Sequence, residues 1–571
     1  MGHPKLSRKW SLGHASSECA RRRPATATGG LTDQKANVFM TPTLKRAGAV
    51  LAAACVLSLA ACGTGKTDSG TASPTGGGGS ALIVGTTDKV TSLDPAGSYD
   101  NGSYHVEMQV FQFLYGFKPG DANPQPDAAE KCEYSSDTVL ACTLKPNLKF
   151  ANGHALTASD VKFSFDRQVA INDPNGPSSL LSNLDSVQVV DDTHVNFKLK
   201  EGPDQTFLQI LATPVAPIMD EEVVSATALT PDNDIVTAKA FSGPYIIDSW
   251  QVNQLAHFVP NADYNGVQGK PQNSGVTLKY YAESTNLKLA MDNGEVDIAY
   301  RSLSPTDITS ERSNSRVKVW DGPGGEIRYI VFNFNTMPGD TPEQKLAIRQ
   351  AMASVIDRQS VATDVYKDLY TPLCSWVPDG MPGATRSVCD TYPLDVTAAA
   401  KYLSDAGVTT PVTLNLQYNP DHYGQSSDQE YARYKAQLEA SGLFKVNLQA
   451  TEWVSYQTNR TSDVYPLYQL GWFPDYPDAD NYLQPFFVPG NFLANHFEAD
   501  DTTQLITKEQ TTADPTARAA VIEQIQDLMA KKYLSTLPLL QGKQVVIAGT
   551  GVQGIVLDAS FQFRYVPLTK A

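Results

Sequence analysis

A single carboxylate stands among aromatic residues at positions 471–476, and no other segment of the sequence points as clearly to binding chemistry. The carboxylate is Asp475, and the aromatic residues near it in the chain are Trp472, Phe473, Tyr476, Tyr482, Phe486 and Phe487. Burying a carboxylate there without a counter-charge is costly, so the ammonium group of a ligand would be a fitting partner. The alternative is a turn at 474–478 in which Asp475 accepts hydrogen bonds from the local backbone. Trp472 fits a ligand contact and a core position equally well.

Motifs for catalysis and for metal binding are missing from the sequence. There is no Gly-x-Ser-x-Gly nucleophile motif, and no two histidines stand at the spacing that a zinc helix requires. We therefore expect no catalytic residue, no metal and no cofactor. A pair of glycosidase carboxylates can lie far apart in a chain, so a surface hydrolase remains a weaker alternative, which turnover of a peptide or glycoside would reveal.

The size and charge of the chain limit the classes of protein to consider. With 571 residues the chain is too long for one core and predicts two or three domains. A net charge of −16 argues against nucleic-acid binding, which needs clustered Lys and Arg. Strands are predicted at 81–86 and 194–200, and helices at 342–366, 396–406, 427–441 and 515–532. This mixture indicates α/β layers.

The N-terminal region has the pattern of an export signal. Lys45 and Arg46 precede an uncharged apolar stretch at 47–61, which is shorter than the about 20 residues that span a bilayer. The stretch ends at Cys62 in the pattern Leu-Ala-Ala-Cys-Gly, which has the form of a bacterial lipobox. Residues 1–61 are therefore predicted to be an upstream extension and a lipoprotein signal peptide, with Cys62 lipidated. The Gly- and Ser-rich residues 62–80 are predicted to be a flexible tether.

Four cysteines follow the tether, and they form two close pairs in the sequence. Four cysteines allow three pairings, but the short spacings favour Cys132 with Cys142 and Cys374 with Cys389. Such bridges agree with an oxidising compartment outside the cytoplasm.

A series of short motifs after the tether resembles one family. The motifs are Ser-Leu-Asp-Pro at 92–95, Phe-Ala-Asn-Gly at 150–153, Leu-Thr-Ala-Ser-Asp-Val-Lys-Phe-Ser-Phe-Asp-Arg at 156–167, Gly-Pro-Tyr at 243–245, Asn-Ala-Asp-Tyr at 261–264, Gly-Glu-Val-Asp-Ile at 294–298, Ile-Arg-Gln-Ala at 348–351, Ile-Asp-Arg at 356–358 and Gly-Trp-Phe-Pro-Asp-Tyr at 471–476. In this order they resemble the extracytoplasmic solute-binding proteins of ABC importers, in the oligopeptide and dipeptide class (bacterial extracellular solute-binding protein family 5). The block at 150–167 is the most specific of them.

The resemblance implies a bilobed α/β fold of the periplasmic-binding-protein type with an extra inserted domain and a two-strand hinge. Lobe I would comprise 82–105, 240–330 and 542–571, the extra domain 106–239, and lobe II 331–541. The hinge strands would lie near 329–332 and 545–547. Ligand would bind between the lobes, and closure of the hinge would bury it.

The resemblance also implies which residues contact the ligand. Asp475 would pair with the free α-amine of a peptide, beside Trp472, Phe473 and Tyr476. Tyr99 and Asp100, which follow the 92–95 motif, would line the cleft. Further expected contacts are Tyr418, Asn419 and His422, in a region that reaches the peptide carboxylate in some members. Gln469 stands where certain oligopeptide binders have an Arg for that carboxylate, so ligand length is left open.

The expected function is that of a monomeric, lipid-anchored binding component on the outer face of the cell membrane. It would capture short peptides and deliver them to ABC permease subunits that are driven by cytoplasmic ATPases. The same fold could instead bind an oligosaccharide or a metal chelate, and a peptide sensor is compatible with the first expectation.

Overall fold

The computed structural model describes residues 80–571 except Ala122, Ser302 and Gln425. The predicted signal peptide, the lipidation site Cys62 and all of the tether except Ser80 lie outside the described residues.

Strands and helices alternate along most of the chain. The strands are β1 (Leu82–Thr86), β2 (Tyr115–Phe117), β3 (Pro124–Pro126), β4 (Ala129–Ser136), β5 (Val139–Leu144), β6 (Leu184–Asp191), β7 (His194–Leu199), β8 (Tyr245–Gln251), β9 (Leu255–Pro260), β10 (Val276–Tyr280), β11 (Ile298–Tyr300), β12 (Val317–Phe332), β13 (Tyr370–Pro372), β14 (Val412–Tyr418), β15 (Phe444–Ala450), β16 (Leu467–Trp472), β17 (Thr536–Gly549), β18 (Val552–Gln553) and β19 (Thr569–Lys570). The α-helices are α1 (Asn101–Val110), α2 (Ala158–Ile171), α3 (Phe207–Ile210), α4 (Asp232–Ala238), α5 (Ser284–Asn293), α6 (Pro305–Glu311), α7 (Pro342–Val355), α8 (Arg358–Asp364), α9 (Ser387–Thr391), α10 (Val396–Asp405), α11 (Ser426–Ala440), α12 (Trp453–Thr461), α13 (Gln484–Phe487), α14 (Asp500–Gln510) and α15 (Pro515–Leu528).

Two long antiparallel strands, β12 and β17, run through the middle of an eleven-stranded sheet formed by the described residues. On one side β17 pairs with β11, and the sheet continues through β1, β10, β9 and β8. On the other side β12 pairs with β16, and the sheet continues through β14 and β15. We call the part built on β1 and β8–β11 lobe I, and the part built on β14–β16 lobe II. The fold is therefore bilobed, as expected.

The ladder between β12 and β17 is irregular where it passes from one lobe to the other. Its register shifts between Asp321 and Gly324, between Gly324 and Glu326, and between Arg328 and Tyr329. The predicted hinge segments 329–332 and 545–547 belong to β12 and β17 but lie on either side of this irregular stretch. The predicted domain boundary at 105 falls inside α1, so we propose that the extra domain begins after this helix.

Most elements predicted from the sequence are present. The predicted strands correspond to β1 and β7, and three of the predicted helices correspond to α10, α11 and α15. The predicted helix at 342–366 was wrong in one respect, because it is divided into α7 and α8. The division occurs at Ile356, which is extended and is followed by Asp357, whose side chain caps α8.

Both predicted disulfide bridges are present. Cys132 and Cys142 lie opposite each other in the neighbouring strands β4 and β5, and the second bridge joins Cys374 to Cys389. The β4–β5–β7–β6 sheet to which the first bridge belongs is separate from the large sheet.

The most specific motif of the sequence forms helix α2 and its connection to lobe I. Thr157 and Asp160 form a capping box at the start of α2. One turn before the end of α2, Arg167 donates two hydrogen bonds to Asp94, Nη1 to Oδ1 at 2.7 Å and Nη2 to Oδ2 at 2.8 Å. Both side chains are buried. Two motifs that are far apart in the sequence therefore contact each other, and their role is structural.

None of the helices in the described part of the chain combines the length and the apolar character needed to cross a membrane.

Candidate functional site

Two adjoining cavities lie between the lobes. The first, which we call the Asp475 cavity, is lined by the loop that carries Asp475 and by Tyr99 of lobe I. The second, which we call the hinge cavity, is lined in part by β12 and β17. Tyr423 and Phe473 line both cavities, so the two cavities adjoin at these side chains.

Asp475 follows the end of β16 and points into the first cavity. Its Oδ2 accepts hydrogen bonds from Tyr99 Oη at 2.6 Å and from Asn481 Nδ2 at 3.0 Å. Asn481 also accepts hydrogen bonds from the backbone N–H of Asp475 and from the Trp472 indole, so it fixes the loop that carries the carboxylate. No other described residue donates a hydrogen bond to Asp475 Oδ1, and the backbone of Asp475 itself also contributes a hydrogen bond to the carboxylate. One oxygen of a rigidly held carboxylate is thus available to a ligand.

The local turn in this segment is made by a different residue, Asp478. Its carboxylate accepts a hydrogen bond from the Asp480 backbone and a pair of hydrogen bonds from Arg518. Asp478 therefore has the turn-forming role that was the alternative for Asp475.

The electrostatic setting of Asp475 favours a cationic ligand. Burial raises the pKa of Asp475 from 3.8 to about 6, although the hydrogen bonds from Tyr99 and Asn481 lower it in part. Among the described residues that line its cavity, none is Lys or Arg. A ligand ammonium next to the carboxylate would supply the missing counter-charge.

Aromatic rings enclose this carboxylate. Tyr99 meets Trp472 edge to face at 5.3 Å between centroids and Phe492 at 5.1 Å. His422 lies flat on Trp453 at 3.9 Å. These walls offer apolar surface and ring faces to the part of the ligand that adjoins its ammonium group.

The lobes touch each other around the cavities. Tyr99 of lobe I donates to Asp475 of lobe II, and Lys89 of lobe I pairs with Asp421 and Glu452 of lobe II at 3.2 and 3.1 Å. The structure therefore represents a closed arrangement of the two lobes.

A comparison with protein families decides the class of this fold. Residues 123–493, which include β12 and the whole Asp475 loop, match the model of the family described as bacterial extracellular solute-binding proteins, family 5 Middle. The chain belongs to this family. The resemblance inferred from the short motifs is therefore confirmed.

Curated relatives of this solute-binding protein differ in what they bind. The chain is 25% identical over 460 residues to the probable D,D-dipeptide-binding periplasmic protein DdpA of Escherichia coli, covering 78% of this chain and 86% of that protein. It is 24% identical over 485 residues to heme-binding protein A of Haemophilus influenzae, covering 79% and 84%. The periplasmic binding protein DppA from Helicobacter pylori, solved in complex with the peptide STSA, matches with a TM-score of 0.76 at 18% identity, over 86% of this chain and 98% of that one. This last likeness shows the shared fold.

Six of the ten predicted ligand contacts line the Asp475 cavity of this solute-binding protein. They are Asp475, Trp472, Phe473, Tyr99, Asp100 and His422. Asp100 is also the N-cap of α1, where it accepts hydrogen bonds from the Ser103 backbone and from two hydroxyl groups. Its carboxylate is therefore already occupied.

The other four predicted contacts lie outside the linings of both cavities. Tyr476 donates to Asp480, and Tyr418 stacks on Tyr431. Asn419 organises its own loop, and its backbone N–H donates to Gln469. The positions of these side chains do not favour ligand contact in the closed arrangement, and their roles remain predictions.

Sequence patterns did not predict the polar residues of the hinge cavity, above all Arg301 and Arg328. Neither belongs to a motif, and both become neighbours of Phe473 only through the pairing of distant strands. Asn481 was also missed, although its spacing of six residues from Asp475 was a usable signal. No group of three His, Cys, Asp or Glu side chains in the described ranges is arranged to hold a metal ion.

Proposed function

We propose that this chain is the binding component of an ABC importer and that it captures short peptides between lobes I and II. The α-amine would lie against Asp475, and the first side chain would lie among the rings of Tyr99, Trp472 and Phe492. Pockets that hold the remaining side chains loosely would keep sequence selectivity low. The ligand-bound closed form would dock on membrane permease subunits, and we expect stoichiometric binding without turnover.

The observation that carries this proposal is the environment of Asp475. It is a buried carboxylate with one oxygen that accepts no hydrogen bond from any other described residue, in a cavity whose described lining contains no Lys or Arg. An ionised carboxylate in such a place is unfavourable without a cation, and a peptide α-amine is protonated at neutral pH.

Thermal unfolding of the soluble part of the chain, residues 81–571, would test the proposal. A pool of short free peptides is expected to raise its stability by about 2.7 kcal/mol when the ligand concentration is 100 Kd, because binding to the native state stabilises it by RT ln(1 + [L]/Kd). The same pool with acetylated N-termini is expected to give no shift, since the ammonium charge is gone. A shift of equal size with both pools would exclude capture through the amine.

The lipid anchor is a separate part of the proposal. Changing Cys62 to Ala is expected to release the protein from the membrane fraction, because the acylated side chain would be lost. Cell fractionation followed by immunoblotting measures this, and Cys55→Ala, in the same apolar segment, is the matched control. Full retention of the Cys62→Ala protein in membranes would contradict the anchor.

A non-peptide solute is the second candidate, and the aromatic walls of the Asp475 cavity favour it. The rings of Trp472, Trp453 and Phe492 could stack on the faces of sugars. Stabilisation by an oligosaccharide or a metal chelate, with no shift from either peptide pool, would establish this candidate.

A further inference from the structure

A groove in lobe II is separate from the two cavities between the lobes. It lies beyond the end of β12, next to the start of β17, and the first part of α7 forms one of its walls. We call it the α7 groove, and its lining residues belong to the segments 334–349, 496–498 and 532–533. None of the described residues that line it also lines the Asp475 cavity or the hinge cavity. A ligand in this groove would therefore not compete directly with one between the lobes.

Apolar side chains form much of the wall of the α7 groove. They are Phe334, Leu346, Phe497 and Tyr533. The rings of Phe334 and Phe497 are 5.6 Å apart between centroids, and Tyr533 meets Phe497 edge to face at 5.2 Å. Phe334, Leu346 and Tyr533 are only partly buried, so part of their apolar surface is exposed to water in the groove. A ligand that covers this surface gains from the hydrophobic effect.

Arg349, which belongs to the family motif at 348–351, is a buried cation in the wall of this groove. Its residue is only 4% exposed, and burial lowers the pKa of its guanidinium to about 10, so the side chain stays charged at neutral pH. Its Nη2 donates to the carbonyl oxygen of Tyr533 at 2.9 Å, and its Nη1 contacts Met337 Sδ, a weak acceptor, at 3.4 Å. Its Nε has no hydrogen-bond partner. The guanidinium thus has neutral partners only.

Lys345 lies one turn before Arg349 on the same face of α7 and lines the same groove. Its Nζ donates to the carbonyl oxygen of Phe334. In the described part of the chain, neither Lys345 nor Arg349 forms an ion pair with an acidic residue. Two neighbouring cations therefore face the groove without a counter-charge.

The other charged side chains of the groove do not supply this counter-charge. Lys532 pairs with Asp501 at 2.8 Å, and His496 pairs with Asp463 at 2.6 Å. The acidic residues of the lining, which are Asp340, Glu343 and Glu498, are exposed. Water and salt screen exposed charges, so these carboxylates balance the buried Arg349 only weakly. They would nevertheless repel a ligand that carries several negative charges.

We propose that the α7 groove is a second binding site, in which Lys345 and Arg349 hold the carboxylate of a monocarboxylic acid whose apolar ring or chain lies on Phe334, Phe497 and Tyr533. The carboxylate supplies the missing counter-charge, and ammonium and guanidinium groups form charge-assisted hydrogen bonds with it. The exposed acids of the lining restrict the ligand to a single negative charge. This site goes beyond the proposed function, because it does not depend on what binds between the lobes.

Isothermal titration of the full-length protein with three probes tests the site. 3-Phenylpropionate, which combines a ring with one carboxylate, is expected to bind with a Kd of about 1 mM or below. Its neutral analogue 3-phenylpropanamide is expected to bind about tenfold more weakly, because the charge-assisted hydrogen bonds are lost. Acetate is expected to give no measurable binding, since it has no ring to cover the apolar wall.

Variants of the two cations locate the bound acid. Lys345→Gln, at a half-buried position, is expected to weaken binding of 3-phenylpropionate about fivefold and to change the affinity for the amide less than twofold. Lys435→Gln, which alters a Lys of α11 in the same lobe paired with Glu439, is the matched control and should change neither affinity. Arg349→Gln is expected to reduce the preference for the acid over the amide to below about threefold. Arg349 also binds the Tyr533 carbonyl, so if this variant does not fold, Lys345→Gln decides the test.

Three results would overturn the second site. One is the absence of measurable heat with 3-phenylpropionate, and another is equal affinity for the acid and the amide. The third is an affinity for the acid that is the same in Lys345→Gln as in the unaltered protein, because the acid is then bound elsewhere.

Discussion

The Asp475→Asn variant is expected to bind free-amine peptides about 100-fold more weakly than the unaltered protein. A buried charge-assisted contact contributes about 2–5 kcal/mol when one partner is removed, and about 1.4 kcal/mol corresponds to a factor of ten. In the unaltered protein, Tyr99 Oη donates a hydrogen bond to Asp475 Oδ2 at 2.6 Å. Asn is close to Asp in shape and can still accept this hydrogen bond. The variant therefore removes the charge while keeping the cavity. Titration with a peptide of known affinity for the unaltered protein measures the effect.

The same carboxylate should make binding depend on pH. Its pKa in the folded chain is raised to about 6, so the ionised fraction falls as the pH drops below this value. Between pH 7 and pH 5 the affinity is expected to fall about tenfold, since the α-amine stays protonated throughout. The stability of the unliganded protein has the opposite dependence. It decreases as the pH rises from about 4 to about 6, by about 3 kcal/mol in total, because the pKa differs between the folded and unfolded states over this range and each pKa unit corresponds to about 1.4 kcal/mol.

Comparison of variants isolates the contribution of Asp475 from that of the other polar side chains in the cavity. His422 and Asp100 line the same cavity, and only Asp475→Asn removes the effect of Asp475 itself. Asp405→Asn, which alters an exposed acid paired with Lys401, should change neither affinity nor pH dependence. If the peptide affinity of Asp475→Asn is within about threefold of that of the unaltered protein, the peptide amine is bound elsewhere.

Replacing Arg167 by Leu is expected to destabilise the fold by about 3–5 kcal/mol. Asp94 is fully buried and receives hydrogen bonds from both Nη atoms of Arg167 and from the backbone of Ala96 and Thr230. Removing the guanidinium leaves an uncompensated carboxylate, which costs far more than the loss of an exposed pair. This loss is measured as the change in the midpoint of urea denaturation.

A charged pair on the same helix is the control for Arg167. Lys162 pairs with Asp166 on the exposed side of α2, and Lys162→Gln should cost less than about 0.5 kcal/mol. The double variant Arg167→Leu, Asp94→Leu should regain part of the stability, because neither charge is then left unpaired. A loss below about 1 kcal/mol in the single variant would show that water or other groups compensate Asp94.

Local pattern was sufficient for much of the fold. The alternation in β7 and the close spacing of the cysteine pairs are properties of short segments, so they could be predicted without the tertiary structure. The order of the family motifs was sufficient to predict the bilobed architecture. The break between α7 and α8 was missed because Asp357, which caps α8, lies within an otherwise continuous helical pattern.

Some residues of the candidate site could likewise be predicted from the sequence, and others could not. Asp475, Trp472 and Phe473 follow one another on a single strand end, so their type and spacing in the sequence predicted a binding segment. The partner that anchors Asp475 is Tyr99, which is 376 residues away in the chain. Arg301 and Arg328 reach the neighbourhood of Phe473 through β11 and β12, which contact lobe II only once the long strands have paired.

The sequence by itself determined the class of this protein and its two bridges, and it predicted Asp475 as the carboxylate of the candidate site. The tertiary structure alone decided which side chains share the cleft. Asp94 and Arg167 were both visible in motifs, yet only the packing of α2 against lobe I makes them a structural pair. Gln469 was expected at the ligand, but its place in β16 directs it towards Asn419 and Ser427. Residue type is a local property, whereas the direction of a side chain depends on strand register and on contacts between segments that are distant in the chain.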